Sequence, residues 1–494
     1  MLQGTGSDVG KSLLVAALCR LAARQGLRVA PFKPQNMSNN AAACPDGGEI
    51  GRAQALQARA AGITPSVDHN PVLLKPESNT RARIVVHGKA LASQEAAAYM
   101  AGRSDLLPAV LESFHRLARD YDLIIVEGAG SPAEINLRRG DIANMGFARA
   151  AGVPVCLIGD IDRGGVIASI VGTQAVLAPD DARQVRSFLV NKFRGDPRLF
   201  DDGIRAIEER TGWPCRGLIP WMADAARLPA EDAVALDQDP VPAKRGLLIV
   251  APLLSRIANF DDADPLIQEP GVDFRWIVPG DPLPRDADVV LLFGSKSTLG
   301  ELAFLREQGW DHDIIAHARA GGRVLGICGG LQMLGLSIDD PYGCDGGAGS
   351  APGLGLLNVH TTMSRDKTVA PREARCALTG AAISAYEIHQ GQSSGDDAQR
   401  PMALIDARGE GSRSRCGRIE GTYLHGLFTS DAYRSQWLRR AGLTATSDTA
   451  YESRVEEALD RIADGLAEHG DLDRLLGDAR PPGWLPGDEG VNPP

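Results

Sequence analysis

Gly4-Thr-Gly-Ser-Asp-Val-Gly-Lys-Ser12 stands at the head of the chain, and the fold follows from it. Its glycines, lysine and hydroxyl have the order of a phosphate loop, G-x-x-x-x-G-K-[ST], with one shift. Gly10, Lys11 and Ser12 fit the pattern; Thr5 occupies the place of the usual first glycine, and Gly4 and Gly6 flank it. Consecutive backbone amides in such a turn make an anion nest, and a following helix adds the positive end of its dipole. That helix is legible: Leu14, Ala17, Leu18 and Leu21 recur at helical spacing, and Gly26 stops it. Gly4, Thr5, Gly6, Gly10, Lys11 and Ser12 are therefore expected to bind ATP, Lys11 neutralising the terminal phosphates and Ser12 ligating Mg²⁺. A phosphate loop normally follows a buried strand, and only Met1-Leu2-Gln3 precedes this one. The first strand is expected to be truncated or to begin upstream.

Further along, short apolar runs alternate with helical patterns: Leu123–Val126, Val153–Ile158 and Phe188–Val190, then Leu247–Ala251, Val289–Phe293 and Val324–Ile327. Continuous apolar runs suit strands buried on both faces of a parallel sheet, and the alternation predicts an α/β fold. Asp237-Gln-Asp-Pro-Val-Pro-Ala-Lys-Arg245 is polar and carries two prolines, the character of a linker. Two doubly wound, mostly parallel-sheet domains are expected, at 1–236 and 246–440, joined by 237–245. Residues 441–494 read as a helical extension, helical over roughly Tyr451 to Leu476, with a Pro/Gly-rich end expected to be disordered. Asp339–Pro352 reads as a surface loop.

Composition narrows the function classes. Of 494 residues, 44% are hydrophobic and 23% charged, enough for sizeable cores. The net charge of −11 argues against a nucleic-acid partner, which needs a basic footprint. No apolar run approaches the ~18 residues of a membrane helix, and no leader pattern opens the chain. The eight cysteines show no C-x-x-C pair, which suits a reducing cytoplasm rather than a disulfide framework. Small molecules are the expected partners, with no nucleic acid and no membrane.

A P-loop needs a carboxylate at a nearby strand end to hold its metal. Glu127, which ends Leu123-Ile-Ile-Val, is the candidate Mg²⁺ ligand. Asn191, at the end of Phe188-Leu-Val, is expected to read the nucleotide base. In the second half, Val324-Leu-Gly-Ile-Cys328-Gly-Gly330 runs a strand through G-x-C-x-G into a helical pattern. This is the thiol form of a nucleophile elbow, where a sharp turn and a helix N-terminus favour thiolate. Its base is expected to be His425 in Thr422-Tyr-Leu-His-Gly426, with His389 the competitor. Gly294 and Ser295, after a buried strand, and Gly329 are expected to form the oxyanion hole.

Gly326-Ile-Cys-Gly-Gly330 with a downstream His425 resembles a class I glutamine amidotransferase, in which cysteine attacks the glutamine amide and releases ammonia. That family carries Glu two residues after the histidine; here the position is Leu427, as in the cobyrinate and cobyric acid synthase branch. The first domain resembles the dethiobiotin-synthetase-like ATPases, whose phosphate loops share the shifted glycine. Pro31-Phe-Lys-Pro-Gln-Asn-Met-Ser-Asn-Asn40, Glu49-Ile-Gly-Arg-Ala-Gln-Ala-Leu-Gln57, Asn70-Pro-Val-Leu-Leu-Lys-Pro76, Gly128-Ala-Gly-Ser-Pro-Ala-Glu-Ile-Asn-Leu137, Asp141-Ile-Ala-Asn-Met-Gly146 and Gly159-Asp-Ile-Asp-Arg-Gly-Gly-Val166 narrow the resemblance to the cobyric acid synthase family, over about residues 2–440.

The resemblance implies a glutamine-hydrolysing carbon–nitrogen ligase of cobalamin synthesis. It would amidate the b, d, e and g carboxylates of adenosylcobyrinic acid a,c-diamide through acyl phosphates, using ATP and Mg²⁺. It also implies that Lys33 lies near the phosphates, that Glu49 joins the metal shell, and that Asn36, Asp162 and Arg163 line the substrate groove. A cobyrinic acid a,c-diamide synthase-type ligase and a non-catalytic P-loop regulatory ATPase are the alternatives. The sequence leaves the oligomeric state and the group that orients His425 open.

Overall fold

The apolar runs of the first half become the centre of a parallel sheet. The computed structural model describes residues 1–78, 80–229, 246–344, 348–447 and 450–483. The expected linker and the Pro/Gly-rich end beyond 483 lie outside the described residues. Leu2–Gly4, Val155–Asp160, Val185–Phe193 and Cys215–Pro220 pair in that order, all parallel. Val29–Phe32 pairs in parallel with Leu123–Val126, and a bridge from Leu2 to Glu127 ties this pair to the rest. The strand before the phosphate loop is thus present in three residues, all buried, held by partners on both sides.

Helix α1 (Lys11–Arg24) follows the loop and buries Leu14, Val15, Leu18 and Leu21. Helix α2 (Arg52–Ala60) packs beside it, and Gln54 and Gln57 are fully buried along it. Gln35–Met37, before α2, joins Val72–Pro76, Arg81–Val86 and Lys89–Glu95, after it, in a small mixed sheet.

The second half forms its own six-stranded sheet, in the order Val272–Ile277, Leu247–Pro252, Val289–Leu292, Arg323–Ile327, Ile419–Thr422, Ser412–Arg413. It is parallel except for the last pair. Helix α3 (Gly329–Leu334) leaves the end of its fourth strand and is buried throughout. Beside it stands a mixed sheet built on a long hairpin, His360–Cys376 against Ala382–Ser394. Asp339–Pro352 is not a plain loop as expected. Ser337–Asp340 pairs antiparallel with Gly349–Pro352, because Ile338 is wholly buried and anchors that edge.

After residue 441 the chain returns to the first domain. Helix α4 (Tyr451–His469) turns Val455, Leu459, Ile462 and Leu466 into the cluster that holds Leu14, Leu18 and Leu21 of α1. Arg20 of α1 pairs with Glu456 (2.5 Å) and Asp460 (2.7 Å), and Arg59 of α2 with Glu456 (2.7 Å). The extension is a wall of the nucleotide domain. Leu459→Ala should therefore lower its stability by about 2–5 kcal/mol, as an unfilled core cavity does, read as a fall in the denaturant midpoint.

Candidate active sites

The phosphate loop is set by close packing. Gly10 has φ +94°, and a Cβ there would lie 2.3 Å from Asn191 Nδ2. A Cβ on Gly4 would strike Val9 and the Gly6 carbonyl, whereas Gly6 faces open space. Thr5 takes the shifted position and donates its amide to Ile158 O at 2.9 Å. Lys11 Nζ spans the loop, donating to Gly6 O (2.9 Å) and Gly130 O (3.2 Å). Glu127 is wholly buried beneath it. Its Oε1 accepts from Ser12 Oγ and Lys33 Nζ, each at 2.7 Å, and its Oε2 from Gln57 Nε2 at 2.6 Å. Burial alone would raise that carboxyl; the Lys33 ammonium and the hydrogen bonds lower it, so Glu127 stays ionised.

Several expected residues are placed otherwise. Asn191 donates its amide Nδ2 to Val9 O at 2.8 Å and braces the loop. Glu49 stands apart from the metal candidates. Its Oε2 lies 2.5 Å from Lys75 Nζ and its Oε1 bonds Lys367 of the second domain, and neither partner touches Glu127. Asn36 is buried rather than open to a groove and donates to Gln54 Oε1 at 2.9 Å. Asp162 pairs with Arg194 at 2.8 Å, and the exposed Arg163 reaches Asp8 of the phosphate loop at 3.5 Å.

At the second site, Cys328 takes φ +55° and ψ −111° between its strand and α3. The turn needs its glycines: a Cβ on Gly330 would lie 1.8 Å from Leu292 O, and one on Gly326 2.5 Å from the Gly330 backbone. A backbone held in so sparsely populated a region persists only where its surroundings enforce it. Gly294, Ser295 and Gly329 lie against the nucleophile. A Cβ on Gly294 would be 3.2 Å from Cys328 Cβ, and one on Gly329 3.2 Å from Ser295 N.

His425 is buried and lines one cavity with Cys328, whose Sγ donates to Ile388 O at 3.6 Å. Its Nδ1 lies 2.7 Å from Asp262 Oδ2, and Asp262 Oδ1 accepts the Gly426 amide at 2.5 Å. Burial alone would lower the imidazole's pKa. The Asp262 carboxylate, with Cys328 nearby, overcomes it and raises His425 to about 10. His389 lines the same cavity but is otherwise engaged, with Nδ1 on Gly391 O at 2.9 Å and the ring stacked on Tyr423. Asp262 supplies the orienting carboxylate that Leu427 cannot. No spacing rule finds it, since 163 residues separate it from His425; the Asp261-Asp262 pair was its sole trace in the sequence.

The first domain reaches into this site. Arg52, at the head of α2, bonds Asp261 and donates to Tyr386 OH at 2.5 Å; the Tyr386 ring stacks on His425 with centroids 5.3 Å apart. The same helix presents Gln54 and Gln57 to Glu127. One short helix therefore touches both sites.

Two family models match the chain: a CobQ/CobB/MinD/ParA nucleotide binding domain over residues 1–235 and a CobB/CobQ-like glutamine amidotransferase domain over 248–433. A cobyric acid synthase of Hyphomonas neptunium is 63% identical over 98% of both chains. The chain belongs to the cobyric acid synthase family. Cobyric acid synthases of Paracoccus denitrificans and Bradyrhizobium diazoefficiens are 61% and 57% identical, each over 97% of this chain and 99% of the relative. Membership in the cobyric acid synthase family selects among the alternatives opened by the sequence, against both the a,c-diamide synthase and the regulatory ATPase.

Asp262→Asn should keep the shape of the site but favour the wrong imidazole tautomer. Glutamine-dependent turnover is expected to fall by about 10²–10⁴, and the titration of His425, followed by NMR, to move down from about 10. A large loss of turnover without that shift would show a structural role for Asp262 instead.

Proposed function

We propose that the chain amidates the b, d, e and g carboxylates of adenosylcobyrinic acid a,c-diamide to cobyric acid, using ATP and glutamine. The observation that supports this is two groups of side chains in one chain, a phosphate loop over Glu127 and a Cys328–His425–Asp262 constellation, joined through α2. A carboxylate resists ammonia because its leaving group would be oxide. Transfer of the γ-phosphoryl of ATP to a carboxylate oxygen gives ADP and an acyl phosphate. Ammonia then forms the C–N bond as phosphate leaves. Lys11 offsets charge on the transferring group, and Lys33 holds Glu127 in place.

Magnesium fits the same residues. Ser12 Oγ and Glu127 are hard oxygen donors 2.7 Å apart, and Gln57 Oε1 is buried beside them with no hydrogen-bond partner. Ser12 and Glu127 would hold the ion, which when bound would neutralise phosphate charge. Among the described residues no cluster of three His, Cys, Asp or Glu competes for it.

At the second site, His425 already carries the proton at neutral pH, and Cys328 Sγ attacks the glutamine amide carbon as thiolate. His425 gives that proton to the departing ammonia, and water releases glutamate from the thioester. Backbone amides of Ser295 and Gly329 are the candidate oxyanion donors. All eight cysteines are free, and no helix among the described residues is long and apolar enough to cross a membrane. A cytoplasmic enzyme of small-molecule substrates fits both facts. Mass spectrometry of the corrinoid after incubation with ATP, Mg²⁺ and glutamine tests the reaction. Stepwise replacement of carboxyl hydroxyls by amino groups at those side chains is expected; an unchanged corrinoid would overturn it.

A further inference from the structure

The cavity that holds Cys328 is closed on one side by the first domain. Asn39 and Lys75 line it from that domain, and Ser295, Lys296 and Lys367 from the second. Three lysines converge there on one carboxylate. Lys75 and Lys367 bond the two oxygens of buried Glu49, and Lys296 feels the same charge without bonding it. Among the described residues, Lys296 Nζ has no hydrogen-bond or ion-pair partner. The cationic charge is in surplus, and surplus buried charge is costly. Burial, with Lys367 and Lys75 nearby, drives Lys296 well below the usual lysine range, and burial brings Lys75 down to about 8. An acceptor is orphaned beside them: Asn39 Oδ1 is buried with no hydrogen-bond partner. Acyl transfer by Cys328, His425 and Asp262 uses none of these groups.

We propose that they seat the amino-acid end of glutamine, with its α-carboxylate on Lys296 and Lys75 and its α-ammonium on Asn39 Oδ1. The first domain thereby completes the glutamine pocket of the second. This rests on the reading of Cys328 as a glutaminase nucleophile. The reach is right. Lys296 follows Ser295, one backbone step of about 3.8 Å from the segment beside Cys328, and only two methylenes separate a glutamine amide carbon from its α-carbon. A glutamine whose amide meets Cys328 must set its zwitterionic end close to that segment. There a carboxylate finds the surplus cations and an ammonium finds the orphaned carbonyl. A pocket lacking Asn39 and Lys75 would hold glutamine poorly, so hydrolysis would require the docked first domain.

Hydrolysis of three amides by the full chain tests this: glutamine, 4-aminobutanamide (no α-carboxylate) and 4-carbamoylbutanoate (no α-ammonium). The parent should favour glutamine over each. Lys296→Met should cut kcat/KM for glutamine by about tenfold to hundredfold, the range for losing a charged hydrogen-bond partner, yet leave 4-aminobutanamide nearly untouched. Lys296→Arg should restore much of the preference. Asn39→Leu should erase the preference over 4-carbamoylbutanoate alone, and it remains decisive if the Lys296 variants misfold. Equal losses for glutamine and 4-aminobutanamide in Lys296→Met, or a parent indifferent to the α-groups, would overturn the proposal. A parent that hydrolyses no amide at all would overturn instead the glutaminase reading beneath it.

Discussion

Lys11→Ala is expected to abolish amidation with glutamine and with free ammonium alike, by about 10³-fold or more, the scale on which a positioned cation acts in phosphoryl transfer. Lys11 Nζ stands across the loop on the carbonyls of Gly6 and Gly130. Its charge serves acyl-phosphate formation, which precedes nitrogen capture and is indifferent to the nitrogen's source. The measurement is amide formation with each donor at saturating ATP. Near-normal product from ammonium chloride would remove Lys11 from the phosphoryl step. Glutamine hydrolysis, assayed separately, shows whether the second site survives the change.

Cys328→Ala has the opposite pattern. Glutamine-dependent synthesis should vanish, because no other side chain at the elbow forms the thioester. Synthesis from high ammonium should persist, since the acyl phosphate is built around Lys11, Ser12, Lys33 and Glu127. His425→Ala belongs to the same class, whereas His389→Ala should retain more glutaminase activity, its ring being held by Gly391 and Tyr423. A folded, ATP-binding Cys328→Ala protein inactive with both donors would contradict independent half-sites. The contacts of α2 with both Asp261 and Glu127 would then be the first place to look for the coupling.

What the sequence disclosed was local. The loop from Gly4 to Ser12 and the elbow around Cys328 each carry their chemistry within a dozen residues, and their glycines answer to nearby backbone. Glu127 was legible for the same reason, as the carboxylate at the end of an apolar run. The partners of these groups come from far away in the chain. Asp262 meets His425 across the second domain, Arg52 meets Asp261 from the first, and Gln57 reaches Glu127 from α2. Asn191 and Asn36 have the composition of ligand contacts, yet packing spends their amides on Val9 and Gln54. Glu49 sits in a motif that resembles a metal shell but is neutralised by two lysines, one of them on the hairpin His360–Ser394, whose arm no apolar run announced. The helical period of Tyr451–His469 showed a helix; its apolar face did not say that α1 would receive it.

The central claim is that nitrogen freed at Cys328 reaches a carboxylate activated over Lys11 within one molecule. The most direct test supplies glutamine labelled with ¹⁵N in its side-chain amide, together with excess unlabelled ammonium, ATP and Mg²⁺, and reads the isotope in the corrinoid amides by mass spectrometry. The two-site account predicts that the new amides are predominantly ¹⁵N, and that the label disappears in Cys328→Ala while unlabelled amide still forms. Corrinoid amides carrying only unlabelled nitrogen, from an enzyme that still hydrolyses the labelled glutamine, would contradict it.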